Sequence, residues 1–540
     1  MRLGLVQINP CVGAIDLNVQ AILSFIAEAG KKGCDLVVFP ELALCGAPPL
    51  GLPRQPGFMK QMETALSKVA HASKEIGVIV GGVSARARQG KENLGALSLL
   101  SDATRIDLFN NAFFFADGAL LGEEAKLAIP TADPCGGRYF APGPGAQVFE
   151  FRGLRLGINV GEDLWIDDGP TETQASLGAT MVINIAASPF FVGKGAIHHR
   201  TAVRRAVENG IILIHVNLVG GQDELVYDGA SFVVSPVGDR LLQAPSFTEG
   251  LFVFETADPA LSPLPPEEEI GAIRQAIVLG IRDYVLKNGF LRVIIGLSGG
   301  IDSAVVAALA VEALGKGSVI GVFLPSEITS QESCEDAATL AERLGIELIE
   351  APIAQVVDAF NDALPQTPTG ITAENLQART RGTFLMTLAN ARDALVLATG
   401  NKSEIAVGYN TLYGDTVGAI APIADLYKTQ VYRLAAEIGG AIPLRSIEKA
   451  PTAELRPDQR DEDDLPPYPT LDAILRELIE KNASRDDLIA SGFLEKTVID
   501  IFTRYYRSEY KRRQLPLGIK LSAQALRTGQ RLPTTHAYRY

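Results

Sequence analysis

Residues 298–303 read Ser-Gly-Gly-Ile-Asp-Ser, and these types at this spacing suit the handling of a polyphosphate. Two adjacent glycines let the backbone approach an anion closely. The turn opens a helix whose first N–H groups lack intrahelical partners and whose dipole favours negative charge. The hydroxyls of Ser298 and Ser303 add donors, and the carboxylate of Asp302 can hold Mg2+ against a pyrophosphate. A bare Gly-Gly pair would need no more than a tight turn to explain it. The flanking hydroxyls and carboxylate point to the anion. The Gly-Lys-Ser/Thr ending of the other common phosphate loop is absent.

The elements that must hold this loop are readable on both sides. "LRVIIGL" (291–297) is a buried strand, and the residues after Ser303 are good helix formers, so the loop joins strand to helix. Upstream, "TADPALSPLPPEE" (256–268) holds four prolines and few apolar residues and reads as a linker. Before it, short apolar segments such as "LGLVQIN", "CDLVVFPE", "GVIVGGVS", "LRLGINV", "TMVINIAAS" and "IILIHVN" alternate with helical patterns. Both halves therefore read as α/β, with domains expected at 1–258 and 269–540 and a linker at 259–268.

Composition narrows the function. A net charge of -14 argues against a general nucleic-acid or membrane-surface binder, while leaving room for a local basic pocket. No apolar run reaches the roughly 18 residues of a membrane span, and "MRLGLVQINP" lacks the pattern of a signal peptide. The five cysteines are scattered without metal-ligand spacing, so disulfides and zinc are not expected and a cytoplasmic location is.

The 298–303 loop resembles the pyrophosphate loop of ATP pyrophosphatases. Longer segments narrow the resemblance to NAD synthetases: "LPSEITSQES" (324–333), "ENLQARTRG" (374–382), "LATGNKSEIAVGYNTLYGD" (397–415), "PIADLYKTQVYRLA" (422–435), "PTAELRPDQRDEDDLPPY" (451–468) and "SEYKRRQLPLG" (508–518). That family implies a Rossmann-like parallel-sheet domain and a two-step reaction. The carboxylate of deamido-NAD+ attacks the α-phosphate of ATP, pyrophosphate leaves, and ammonia displaces AMP from the acyl-adenylate. The match implies ATP contacts at Gly296, Leu297, Ser298, Gly299, Gly300, Ile301, Asp302, Ser303, Thr399 and Lys428. It implies deamido-NAD+ contacts at Asn375, Arg379, Arg381, Glu404 and Lys511, with Asp302 and Glu404 as Mg2+ ligands. Without the family match, Arg379 and Arg381 would read as a solvated helix face and Lys511-Arg512-Arg513 as a solvated tail; Asp461-Glu462-Asp463-Asp464 resembles a metal-binding acid cluster, but its setting reads first as a loop or helix start.

The first half resembles nitrilase-type amidases, which form αββα sandwiches and use a Glu base, an oxyanion-stabilising Lys and a nucleophilic Cys. Glutamine-dependent NAD synthetases carry such a domain to release ammonia. "VVFPELALCGAPP" (37–49) places Glu41 at the base, "EEAKLAIP" (123–130) places Lys126 at the oxyanion lysine, and "SPFFVGKGAIHHR" (188–200) places Ser188 and Lys194 at glutamine contacts. The family elbow Cys-Glu-Asp-Leu/Ile-Trp is here Gly161-Glu162-Asp163-Leu164-Trp165, so the nucleophile position has no side chain. A second departure follows: "TADPCGGRYF" (131–140) replaces a longer run that supplies the family's aromatic and second acid.

Coupled departures imply lost glutaminase chemistry and use of free ammonia. Retained glutamine use would require a substitute nucleophile, Cys45 or Cys135 being the candidates. A regulatory protein inactive in both halves is a third reading. Glu41 and Lys126 are expected to persist as a buried ion pair, and His198 and His199 as structural residues. The family also implies a homo-oligomer, a dimer through the synthetase domain or a larger assembly such as an octamer.

Overall fold

The computed structural model of the chain describes residues 1–87, 106–129, 139–257, 261–262, 269–527, 529 and 531–538. The altered run at 131–138, with Cys135, lies outside the described residues, as does most of 259–268. Two compact units divide the chain: Met1–Gln222 with Val226–Pro266, and Asp223–Leu225 with Glu267–Tyr540.

The first unit stacks two six-stranded sheets. One runs in the order Gly250–Glu255, Arg2–Gln7, Leu36–Val38, Gly77–Ala87, Ile106–Ala116, Ala119–Ala125. The other runs Arg240–Gln243, Phe232–Val234, Ile212–Asn217, Met181–Ala186, Leu154–Val160, Val148–Phe151. Alternate residues meet between them. Leu3, Leu5, Ile79 and Phe114 face Leu156, Ile158, Met181, Ile183 and Ile214 in one core. The intervening residues pack outward under helices, as Leu213 and Val234 do beneath Ala202 and Ala206 of helix Lys194–Asn209. Double coverage explains why Met181–Ala186 is apolar and buried at almost every position instead of alternating. Helices Ile15–Lys31 and Phe58–Ala72 pack together over the first sheet, completing an αββα sandwich.

The second unit is built on a six-stranded parallel sheet in the order Glu347–Glu350, Val319–Phe323, Val293–Gly296, Leu395–Leu397, Ile420–Ala421, Leu517–Gly518. The first strand in sequence thus lies at the centre, with chain order running outward in both directions. Connections leave that point on opposite sides and open a crevice at the carboxyl ends of the strands. Helix Ile301–Leu314 follows the central strand and is buried on nearly every side, consistent with its unbroken Ala and Val content. Leu385 and Ala389 of helix Ile371–Arg392 pack with Ile294, Ile320 and Val396 of the sheet. Helices Tyr468–Glu480 and Glu495–Arg507 form a further core around Leu471, Ile474, Val498 and Phe502.

Candidate functional site

A cavity of about 800 Å3 opens at the carboxyl ends of the central strands of the second unit. Its wall includes Gly296–Ser298 and Gly300–Ser303, Leu397–Gly400 with Thr399, and Lys428. The phosphate loop is held from within: the Ser303 hydroxyl donates to the Gly300 carbonyl at 3.0 Å and lies 3.2 Å from Ser298 Oγ. Gly299 does not line the cavity. It makes the turn, with φ +79°, and a Cβ there would lie 2.7 Å from the Ser333 carbonyl oxygen. Only glycine satisfies both constraints.

Behind the loop sits a buried charge cluster. Lys428 Nζ donates to Asp302 Oδ2 at 2.5 Å and to Glu404 Oε1 at 3.2 Å. The Tyr468 hydroxyl donates to Asp461 Oδ2 at 2.8 Å and lies 3.4 Å from Glu404 Oε1, and Lys428 stands 5.1 Å from the Tyr468 ring centre. Burial pushes Glu404 up to about 8, with Lys428 opposing and Asp302 and Asp461 reinforcing the shift. Burial alone would lower the Lys428 ammonium, but Asp302 and Glu404 hold it firmly protonated. Three carboxyl groups share one ammonium, so ionising all three would leave the cluster short of positive charge. Asp302 and Glu404 converge on a single cationic atom, which is a donor arrangement suited to a hard cation. Among the described residues no set of three or more His, Cys, Asp or Glu is disposed to hold a metal. Oxygen ligands from outside the protein would have to complete the shell.

The remaining expected residues divide. Asn375, Arg381 and Lys511 line the cavity. Asn375 Oδ1 accepts from Thr411 at 2.7 Å, and Arg381 donates to the Leu324 carbonyl at 3.0 Å. Lys511 Nζ donates to the Gly408 and Asn410 carbonyls at 2.7 and 2.6 Å, and burial lowers it. Arg379 lies outside the wall, exposed and bonded to the Leu412 carbonyl at 3.2 Å. The basic run after it in the chain is no solvated tail: Arg512 and Arg513 both grip Glu509, at 2.9 and 2.7 Å.

Sequence reasoning reads the acid run at 461–464 first as a loop or helix start, and it misses Asp415, Glu454 and Lys449 of the wall. Asp461 and Asp464 line the cavity from the short 3-10 turn Asp461–Asp463, and Asp464 pairs with Arg456 at 2.9 Å. Asp415, pushed up to about 6 by burial, accepts from the Thr411 N–H at 2.6 Å. Glu454 and Lys449 pair at 2.9 Å against Ser333, closing the loop 450–456 over one side. Their acidic or basic character is visible in sequence, but their convergence is not.

The first unit carries the second arrangement. Strand Leu154–Val160 ends in a sharp turn at Gly161, φ +56°, which starts the 3-10 segment Gly161–Trp165. Beside it Lys126 Nζ bonds Glu41 Oε1 at 3.0 Å and also pairs with Glu162. Glu41 is fixed further by Asn110 Nδ2 at 2.6 Å and the Ala187 N–H at 2.7 Å. Asp163 receives the Ala128 N–H at 2.6 Å and the Val160 N–H at 3.1 Å, and burial raises it to about 7.

Ser188 Oγ lies 3.3 Å from His198 Nε2, and Lys194 Nζ turns back onto the Pro189 carbonyl at 2.6 Å. His198 stacks edge-on with Trp165 and His215, so it belongs to the shell beneath the turn, whereas His199 packs on Phe232. Cys45 is fully buried and its thiol is pushed up to about 12, which removes it as a nucleophile at neutral pH.

The family model for carbon-nitrogen hydrolases matches residues 2–258, and that for NAD synthases matches residues 273–515. The glutamine-dependent NAD(+) synthetase of Thermotoga maritima is 37% identical over 592 residues, spanning 100% of this chain and 99% of its own. The corresponding protein of Synechocystis sp. is 38% identical, spanning 99% of each chain. Among solved structures, the glutamine-dependent NAD+ synthetase of Acinetobacter baumannii in complex with ADP is 36% identical with a TM-score of 0.77, covering 99% of this chain and 98% of that one.

Proposed function

The chain belongs to the glutamine-dependent NAD(+) synthetase family, a family of ligases that form C–N bonds, and from that premise we propose that it makes NAD+ from deamido-NAD+, ATP and free ammonia without hydrolysing glutamine. In this reading the cavity of the second unit binds ATP with its phosphates on the 298–303 loop. The deamido-NAD+ carboxylate attacks the α-phosphorus, the bond to the β-phosphate oxygen breaks, and pyrophosphate leaves. Ammonia then adds to the acyl carbon of the adenylate, loses a proton, and expels AMP.

Positioning and charge carry this chemistry. The loop N–H groups and the Ser298 hydroxyl orient the phosphates. Lys428 is already charged and stands where a developing negative charge on the pyrophosphate can draw it from Asp302. Asp302 and Glu404 would hold a divalent ion arriving with the nucleotide, and that ion would neutralise part of the triphosphate charge. Asn375, Arg381 and Lys511 lie along the wall for the dinucleotide, while Arg379 lies outside it.

Gly161 carries the nitrogen-donor half of the proposal. A glycine at the elbow offers no nucleophile, and loss of one costs on the order of 10⁶ in turnover. The residues that would have served it are tied up with one another, Glu41 and Lys126 in particular. Burial of Cys45 weighs against it as a replacement. The deciding measurement is NAD+ formation with ammonia-free glutamine or with ammonium as sole nitrogen source. Ammonium is expected to support turnover and glutamine to give a trace at most. Comparable rates with both would establish a glutamine-dependent enzyme with another nucleophile, and no AMP with either would establish a protein inactive in both halves.

A further inference from the structure

Asn401 is buried completely, and its side chain makes two directed bonds to two different helices of the site. Oδ1 accepts the Glu404 N–H at 3.1 Å, capping helix Lys402–Val407. Nδ2 donates to Asp302 Oδ1 at 3.0 Å. One amide thus ties the start of the helix that carries Glu404 to the carboxylate of Asp302, which sits on helix Ile301–Leu314. Among the described residues, the other hydrogen bond to the Asp302 carboxylate comes from a charged group, the Lys428 ammonium. Lys428 holds the opposite oxygen, Oδ2, and is itself needed elsewhere once a polyphosphate arrives.

We propose that Asn401 is a positioning residue that sets the spacing and orientation of the Asp302 and Glu404 carboxylates for a nucleotide-bound divalent cation. This rests on the reading above, in which those two carboxylates take the cation. The physical basis is that a hard cation demands oxygen ligands at short, fixed distances, so a carboxylate free to rotate loses affinity for it. The amide commits one Asp302 oxygen to Asn401 and leaves the other on Lys428 Nζ, the atom that Glu404 also meets. Asn is the residue that can do both jobs. Ser and Thr satisfy the cap equally well, because only an acceptor is needed there, but neither reaches Asp302 with a second donor.

The test separates the cap from the tether. Asn401→Ser and Asn401→Thr keep the cap, and Asn401→Ala loses it. Thermal unfolding, Mn2+ binding in the presence of a non-hydrolysable ATP analogue (free Mn2+ read by EPR), and the Mg2+ dependence of ammonium-supported NAD+ formation are measured for each. The Ser and Thr variants are expected to melt near the parent temperature while binding Mn2+ about tenfold or more weakly, with a matching rise in half-saturating Mg2+. In an Asp302→Asn background, Asn401→Ser should weaken Mn2+ binding no further, because its effect passes through Asp302.

Parental Mn2+ affinity in either folded variant overturns the assignment, as does an equal additional loss in the Asp302→Asn background. If either variant fails to fold, the other decides. Failure of the reading on which this rests looks different: Asp302→Asn and Glu404→Gln would then leave Mn2+ affinity at the parental value.

Discussion

A Cβ placed on Gly161 would lie 2.7 Å from Glu41 Oε2 and 2.9 Å from Lys126 Nζ. Glu41 and Lys126 thus stand within contact distance of the position from which a side chain at residue 161 would project. That pair is held in turn by Asn110, Ala187 and Glu162. Restoring a cysteine has to push that pair apart.

Gly161→Cys should for that reason lose stability and gain little chemistry. The substituent meets two buried charged groups and sits at φ +56°, which together should cost about 1–3 kcal/mol. Denaturant unfolding measures the first effect, and glutaminase turnover the second. Glutamine-driven NAD+ formation at the ammonium rate after this single change would contradict the closed geometry.

The Glu41–Lys126 pair should itself be structural. Both side chains are almost fully buried, and removing one partner strands the other in a low-dielectric site. Lys126→Met should destabilise by about 3–5 kcal/mol, whereas the double change Glu41→Gln with Lys126→Met should recover part of that loss. A double-mutant cycle reads the coupling. Independent, additive effects would show that the pair contributes no more than its separate packing.

The phosphate loop gives a sharper contrast. Gly299→Ala puts a methyl 2.7 Å from a backbone oxygen that cannot retreat, at φ +79°, while Gly300→Ala meets only the Ser298 hydroxyl at 3.2 Å with an ordinary φ. The first should abolish detectable nucleotide binding or folding. The second should fold and bind ATP more weakly. Calorimetric titration with an ATP analogue distinguishes them, and equal affinity in the two variants would remove the turn from the argument.

Much of this site was legible in the chain, for unequal reasons. Ser298–Ser303 is contiguous and sits between a strand and a helix, so local physics sufficed. Thr399, Glu404 and Lys428 lie far along the chain from that loop and became visible only through long motif matches. Arg379 and Arg381 share a motif, but two residues along a helix is about 200° of rotation, so one reaches the cavity and the other cannot. Asn401 gave no signal of its own, and the acid run with Asp461 gave an ambiguous one, because their importance lies in what they meet: a carboxylate 99 positions away for the first and a tyrosine across a turn for the second. The sandwich was readable in its apolar strands. The closeness of Glu41 and Lys126 to residue 161 required coordinates.

Asp302→Asn tests the catalytic half. The neutral amide keeps the shape but removes one of the charges that face the nucleotide. With ammonium as donor, turnover should fall by about 10²–10³ at saturating ATP, without recovery at higher ATP. Release of AMP measures it directly. A parental rate would place the adenylation chemistry elsewhere.

Glu124 supplies a pH signature for the first unit. It is buried on the face shared with Ala112, and burial raises it from its ordinary 4.5 to about 8, with Asp163 adding to the shift. A carboxyl with a raised folded value keeps its proton in the folded chain while the unfolded chain has lost it. Its stabilising contribution is complete below pH 4.5 and is lost as pH rises toward 8, on the order of a few kcal/mol in all. Thermal unfolding should therefore weaken between pH 5 and 8.5, and Glu124→Gln should flatten that slope and stabilise the chain most at the alkaline end. Asp163, raised to about 7, leaves a smaller residual slope in the variant. A slope unchanged by Glu124→Gln would mean that the carboxyl titrates alike in both states.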